Sequence, residues 1–354
     1  MIVHTESALP VDPSAWRICL VLPTRNEGAT LRGVIAGIRA AFSRSGLQEP
    51  IILVADDSHD ETRAIARELG LHIVIGGGKG LGYAMYQGLK ASLDFEPDVI
   101  MSMDADGQSD PSEVKKLLDL IAAGEADMVV GSRFLDKGLV RYPYRWINRM
   151  GIMSLTWILR WLTGVPLTDS HGGLRAMRPE VVRELEVIGT HTYVQETIID
   201  AHEKGFRIRE VPSIWLKREH GGSKVVGSIP KYIMYTLPIL IIRSGLHIRW
   251  LYSLGFFLVL CAFLYFGFIS WQEGFRFKAM FSRLPSFLLI ALLIMAGLQL
   301  FTFGFLAELT KNVKARVDRL DVGRATGGDR NARRMLREDE RPESRTPPMA
   351  GGPA

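Results

Sequence analysis

The sequence predicts an α/β domain on a mostly parallel, doubly wound sheet, followed by membrane helices. Three observations carry this. Apolar strand-like runs alternate with helically spaced segments across residues 16–228. Polar or charged clusters follow most of the strand runs. Two uncharged stretches, residues 251–270 and 284–307, come after the alternation ends.

Residues 18–22 (ICLVL) are a short apolar run ending at Pro23, hence a strand. Residues 29–44 place Leu31, Val34, Ile35, Ile38 and Phe42 at helical spacing. Residues 51–55 (IILVA) predict a second strand, 61–69 a helix and 71–75 a third strand. A helix over 81–93 leads to a fourth strand at 99–103 (VIMSM). Residues 111–123 predict a helix with Pro111 suited to its first turn, and 128–130 a fifth strand. This β-α-β-α order implies parallel strands with helices on both faces.

Five regions follow from composition: an arm (1–15), an α/β domain (16–228), an interfacial segment (229–250), two membrane helices (251–307) and a basic, largely disordered tail (308–354). A bilayer core of about 30 Å needs about 20 helical residues, and both uncharged stretches meet that length. Residues 229–250 are apolar but interrupted by Lys231, Pro238, Arg243 and Arg249, which predicts interfacial helices kinked near Pro238. The tail after Lys311 has no hydrophobic period. Basic residues before the first stretch and after the second outnumber those between them, which places both termini and the α/β domain in the cytoplasm. Met1–Trp16 holds no apolar core of the secretory-signal kind.

The net charge is +5, with basic residues flanking the apolar stretches; that placement suits anionic lipid headgroups and argues against nucleic acid as a partner. Cys19 and Cys261, the only cysteines, form neither a zinc site nor a disulfide framework.

Ligands of open α/β sheets bind beyond the carboxyl ends of the strands. Those ends carry Pro23-Thr-Arg-Asn-Glu27, Asp56-Asp57-Ser-His-Asp60, Asp104-Ala-Asp106-Gly-Gln108 and Gly131-Ser-Arg133. Two carboxylates two positions apart, with Gln108 as a further oxygen, suit a hard cation, Mg²⁺ or Mn²⁺, bridging a diphosphate. Asp60 equally suits a helix cap. The run Gly76-Gly-Gly-Lys79-Gly-Leu-Gly82 lacks the Ser/Thr and the earlier glycine of a phosphate loop, so it reads as a tight turn bringing amides and Lys79 near a donor. Arg218-Glu-His-Gly-Gly-Ser223-Lys224 reads as a flexible basic loop closing on phosphate. The histidines show no ligand spacing and read as bystanders.

These motifs, with Asp169-x-x-x-Gly173-Leu-Arg175 and Glu196, resemble the dolichol-phosphate mannose synthase group of family 2 glycosyltransferases over about residues 16–228. The resemblance implies a GT-A fold and inverting transfer from a nucleotide sugar, of GDP-mannose or UDP-glucose type, to a polyprenyl or dolichyl phosphate. It implies Pro23, Arg25, Glu27, Asp56, Asp57, Lys79, Asp104, Arg218 and Lys224 around the donor, and Asp104, Asp106 and Gln108 around the metal. Arg133, Arg145, Arg149 and Ser223 would meet the acceptor phosphate, and Asp104, Asp106, Arg133 and Arg218 would carry catalysis. The second acidic turn is a residue shorter than the family's common form, and Leu174, Met177 and Gly222 depart from it, which bears on sugar specificity. Membrane relatives assemble, so a homo-oligomer is expected. The rival readings are a processive polysaccharide synthase, another lipid glycosyltransferase or, least, a non-catalytic membrane scaffold. Tyr142-Pro-Tyr-Arg-Trp146 only partly echoes the synthase's Q-x-x-R-W.

Overall fold

The computed structural model describes residues 12–136, 138–142, 146–187, 193–218, 246–272, 274 and 283–339. The chain divides into two compact units, Met1–Leu246 and His247–Ala354.

In the first unit, strands β1 (Ile18–Thr24), β2 (Ile51–Asp56), β3 (His72–Ile75), β4 (Val99–Ser102), β5 (Met128–Ser132), β6 (Arg175–Met177) and β7 (Ile208–Pro212) form one sheet in the order β3-β2-β1-β4-β6-β5-β7. β1 pairs in parallel with both β2 and β4, and every residue of it is buried. A strand covered on both faces reads as an unbroken apolar run, which is why ICLVL was legible. The five expected strands are present with boundaries moved by at most two residues. β6 and β7 are additions. β6 runs antiparallel between β4 and β5, with Ala176 opposite Met101 on one side and Val129 on the other.

Among the described residues, seven helices cover the sheet: α1 (Gly28–Arg44), α2 (Thr62–Glu68), α3 (Leu81–Ser92), α4 (Val114–Ala122), α5 (Trp146–Thr163), α6 (Pro179–Glu184) and α7 (Val194–Glu203). Leu31, Ile35, Ile38 and Phe42 of α1 share one core with Leu117 and Ile121 of α4. Met85 and Leu89 of α3 share the other with Leu155 and Leu159 of α5 and Ile198 of α7. The double winding read from the sequence is therefore present.

The second unit is an antiparallel hairpin of α8 (Leu246–Gln272) and α9 (Leu284–Asp339). Ile248–Gln272 and Leu284–Thr310 are long and apolar enough to cross a bilayer, with mean hydropathies of 2.1 and 2.3. Their contact is close: a Cβ on Gly297 would lie 2.8 Å from the Gly255 carbonyl oxygen, so only glycine admits this backbone approach. Tyr252 donates to Glu308 at 3.1 Å and Tyr265 to Ser286 at 3.2 Å across the pair.

Most of the interfacial segment lies outside the described residues; from Leu246 the chain belongs to α8. From residue 308 to Asp339 the chain continues α9 as helix. No proline interrupts the chain from Ser286 to Arg341, and Ala, Leu, Arg and Glu there favour helix.

Candidate active site

The β1 and β2 ends form one interlocked edge. Asn26, with a left-handed φ of 57°, donates its amide to Ser58 Oγ at 2.8 Å and accepts the His59 amide at 2.8 Å. Thr62 Oγ1 accepts from the Glu27 amide at 3.0 Å. Asp60 accepts the amides of Thr62 at 3.0 Å and Gly28 at 3.3 Å, so its capping role is real and extends to α1.

Asp56 is fully buried and accepts from Thr24 Oγ1 at 2.8 Å, the Ser58 amide at 3.3 Å and Arg63 Nε. Both its oxygens accept bonds from within the chain. Asp57 accepts the Gly78 amide at 2.6 Å, drawing the glycine run onto the β2 end. Lys79 is exposed on that run, its Nζ 4.7 Å from the Tyr83 ring centroid. Arg25 is exposed beside β1, whereas Pro23 is buried within it, opposite Ala55.

Asp104 and Asp106 follow β4. Asp106 Oδ1 accepts the Gln108 amide at 3.0 Å, while Oδ2 pairs with Arg218. Arg218 also donates to Gln108 Oε1 at 3.4 Å. The other end of the Gln108 amide donates to Tyr142 Oη at 3.3 Å and to the Leu216 carbonyl at 3.5 Å, which turns Oε1 towards Asp106 and Arg218. A guanidinium therefore stands where two of the three expected metal ligands meet.

Burial and the neighbouring Asp106 charge push the Asp104 carboxyl up to about 7, against the pull of Arg133, Arg175 and Arg218. The pair favours more positive charge than these arginines supply. Two hard carboxylates and an amide oxygen in that state fit a divalent cation.

Asp104 rests directly on the backbone: a Cβ on Gly173 would lie 2.2 Å from its Oδ2. Glycine is required there by that approach. Ser102 Oγ donates to the Gly173 carbonyl at 3.1 Å, and the buried Arg175 donates Nε to the Gly172 carbonyl at 2.8 Å and its Nη1 to Thr197 at 2.5 Å.

Arg133, expected at the acceptor phosphate, is half of a buried ion pair. Its Nε and Nη2 fork onto Asp169 at 2.6 and 2.8 Å, and its amide adds a bond at 3.1 Å. Trp215 lies against it, with the guanidinium carbon 4.5 Å from the ring centroid. Glu210 of β7 accepts the amides of Thr168 at 2.7 Å and Asp169 at 2.9 Å, fixing the loop that carries the carboxylate. Burial would raise the Asp169 carboxyl, but the Arg133 charge and hydrogen bonds hold it below its usual value.

The family model of glycosyl transferase family 2 matches residues 19–185. Polyprenol monophosphomannose synthase of Mycolicibacterium smegmatis is 34% identical over 65% of this chain and 88% of its own. Undecaprenyl-phosphate mannosyltransferase of Micrococcus luteus is 32% identical over 66% of this chain and 96% of its own. This chain belongs to glycosyltransferase family 2. The crystal structure of glucosyl-3-phosphoglycerate synthase from Mycobacterium tuberculosis, 21% identical, superimposes with a TM-score of 0.51 over 65% of this chain and 81% of that one, so the two share the GT-A fold.

In this glycosyltransferase the structure brings Asp104, Asp106, Gln108 and Arg218 together and ties Asp57 to the glycine run. Arg149 is exposed on α5, its guanidinium carbon 5.6 Å from the Phe134 ring centroid. Arg145, Ser223 and Lys224 lie outside the described residues. Sequence reasoning gave no role to Tyr142 or Glu210. Tyr142 sat in the partial synthase echo, and Glu210 had no motif at all. His171 is a half-buried strut: it shares hydrogen bonds with Ser170 at 2.9 Å and Gln195 at 2.8 Å, and desolvation lowers its pKa to about 3, so it stays neutral.

Proposed function

We propose that this glycosyltransferase moves one sugar from a nucleotide sugar to a polyprenyl phosphate, with inversion, at the cytoplasmic face of a membrane. The observation that carries the reading is the Asp104–Asp106–Gln108 cluster with Arg218 across it, in a chain whose relatives bear names specifying polyprenol and undecaprenyl phosphate. Both names also specify mannose, so GDP-mannose is the first donor to test and a UDP-hexose the second. The two apolar helices and their flanking basic residues support the membrane assignment and its orientation.

The chemistry follows from the acceptor. A phosphate monoester has a second pKa of about 6, so its oxygen is already a nucleophile near neutral pH and needs no strong base. That oxygen attacks the anomeric carbon from the face opposite the diphosphate. The bond to the diphosphate oxygen breaks, and the nucleoside diphosphate departs with the electron pair. Asp104, Asp106 and Gln108 would hold Mg²⁺ or Mn²⁺, which offsets charge on the departing diphosphate. Arg218, released from Asp106, turns to the same phosphates, and Lys224 joins it. Asp57 holds the glycine run so that Lys79 faces the donor, with Arg25 and Glu27 on the β1 side. Arg133, fixed by Asp169, shapes the acceptor side, and Arg149 lies within reach of an incoming phosphate.

The test is mass-detected transfer to polyprenyl phosphate by the full-length enzyme across a panel of nucleotide sugars, with and without chelator. We expect one sugar per lipid, loss on chelation, recovery with Mn²⁺ or Mg²⁺, and no metal response in Asp104→Ala or Asp106→Ala. Transfer that survives both substitutions overturns the metal assignment. Transfer to a growing polysaccharide in place of the lipid phosphate overturns the acceptor.

A further inference from the structure

Asp104 is seated on the Gly172–Gly173 turn, and the turn is wedged between two strand ends. A Cβ on Gly172 would lie 2.0 Å from the Gly131 carbonyl oxygen at the end of β5, and one on Gly173 would lie 2.2 Å from Asp104 Oδ2. Close-packed contacts transmit displacement, so a shift of this turn is passed on to the carboxylate. Two adjacent glycines are also the least constrained backbone the chain can offer. What fixes the turn therefore fixes Asp104.

Ser102 holds one carbonyl of the turn, that of Gly173, at 3.1 Å. Arg175 holds the other. It is fully buried at the start of β6; its Nε reaches back to the Gly172 carbonyl at 2.8 Å, and its Nη1 reaches out to Thr197 Oγ1 at 2.5 Å, near the start of α7. A guanidinium is a rigid planar fork, so the two bonds set the distance between turn and helix, which a flexible ammonium cannot do. The helix end is itself firm. Thr197 Oγ1 donates to the Val194 carbonyl at 3.1 Å, and the buried Tyr193 packs its ring centroid 5.7 Å from the guanidinium carbon. A second strut leaves the same turn of α7: Gln195 shares a hydrogen bond with His171 at 2.8 Å, and His171 bonds Ser170 and Asp169. The two struts diverge, one to the seat of Asp104 and one to the loop of Asp169.

We propose that Arg175 is a positioning residue for the carboxylate cluster. Its fork sets the Gly172–Gly173 turn by the frame of α7, and the turn sets Asp104. Arg175 acts through that turn, without touching donor or cation. The proposal rests on the reading that Asp104, Asp106 and Gln108 hold a divalent cation, and adds the device that keeps the first of them in register.

The test is Mn²⁺ affinity of the full-length enzyme by electron paramagnetic resonance, with metal-free melting as the check on folding. Thr197→Val keeps the side-chain shape and removes the acceptor for Nη1. It should weaken Mn²⁺ binding about tenfold, the scale expected when a partner that orients a metal ligand is lost, and lower kcat with the KM for polyprenyl phosphate unchanged. Arg175→Lys keeps the charge without the fork and should weaken Mn²⁺ at least as much. Gln195→Met cuts the other strut and should lower the melting temperature while leaving Mn²⁺ affinity intact. In an Asp104→Ala background, Thr197→Val should not change the residual Mn²⁺ affinity, because its route to the cation is gone. Wild-type Mn²⁺ affinity in folded Thr197→Val overturns the proposal. So do losses that add in the double variant, or a Gln195→Met enzyme as weakened as Thr197→Val, since both mark general loosening of the domain. Full affinity in Arg175→Lys overturns it as well, by assigning the effect to charge alone. A wild-type enzyme that binds no Mn²⁺, or an Asp104→Ala enzyme that binds it as tightly as wild type, overturns the cation reading itself and the proposal with it.

Discussion

Replacing Gly173 with alanine moves the candidate metal site without removing any of its ligands. The new Cβ lies 2.2 Å from Asp104 Oδ2 and 2.7 Å from its Cγ. Non-bonded carbon and oxygen atoms settle near about 3.5 Å, so one partner must retreat by about 1 Å. The backbone is poorly placed to do so. Ser102 holds the Gly173 carbonyl at 3.1 Å, and β6 begins two residues later, paired on both edges. The carboxylate therefore moves. A displacement of about 1 Å costs about 10²-fold in rate, equal to ~2.7 kcal/mol of transition-state stabilisation. Overpacking costs a further ~1–3 kcal/mol of fold stability, a few degrees of melting temperature per kcal/mol in a domain this size. Transfer kinetics, Mn²⁺ binding by electron paramagnetic resonance and thermal melting separate the two effects. Gly37→Ala is the control: its Cβ meets only Pro111 Cγ at 3.9 Å, and alanine should stabilise α1 by about 0.5–1 kcal/mol without touching activity. A folded Gly173→Ala enzyme with unchanged kcat/KM and unchanged Mn²⁺ affinity would refute the reasoning.

Asp169→Ala leaves Arg133 buried without its carboxylate and should cost about 3–5 kcal/mol by denaturant unfolding. Because the folded Asp169 pKa is lowered, the pair's contribution is complete above the unfolded value of about 3.9 and is lost as pH falls through the folded value; Asp169→Asn should flatten that acid limb. Arg218→Gln should weaken transfer yet raise Mn²⁺ affinity about tenfold, or ~1.4 kcal/mol, since it removes a cation competing for Asp106 and Gln108; weaker Mn²⁺ binding would contradict the assignment. The Asp104 carboxyl, raised to about 7, costs stability once the unfolded chain ionises it, a cost absent below pH of about 3.9, growing from there and complete above pH of about 7. Asp104→Asn should therefore raise the metal-free melting temperature at alkaline pH and not in acid, while abolishing transfer.

The parallel core was legible because its central strands are apolar runs that end in polar clusters. β1 and β2 announce themselves in ICLVL and IILVA. β6 did not, because Arg175–Met177 is three residues long and begins on a buried arginine, which no periodicity marks as a strand. The carboxylate cluster was readable from Asp104-x-Asp106 and Gln108, since local spacing puts all three on one turn. The partners that orient them come from far along the chain. Tyr142 and Leu216 aim Gln108, and Glu210 fixes the loop that holds Asp169. Asp56 was legible as a strand-end carboxylate, but not its partners: Thr24, Ser58 and Arg63 between them bond both its oxygens.

The antiparallel β6 strand sets the order in which this enzyme is completed. β4 carries the aspartates and β5 leads into Arg133, yet the two strands never touch each other; each pairs with β6. During synthesis both exist as separate edges until the chain has run through α5 and returned. Only then does Arg175–Met177 close the sheet, delivering Gly173 to Asp104 in the same movement. That closure is non-local and belongs among the slower folding events. A nascent chain released before Met177 has an open sheet, with Asp104 not yet set against Gly173. The carboxylate cluster is thus completed at the moment the fold is sealed.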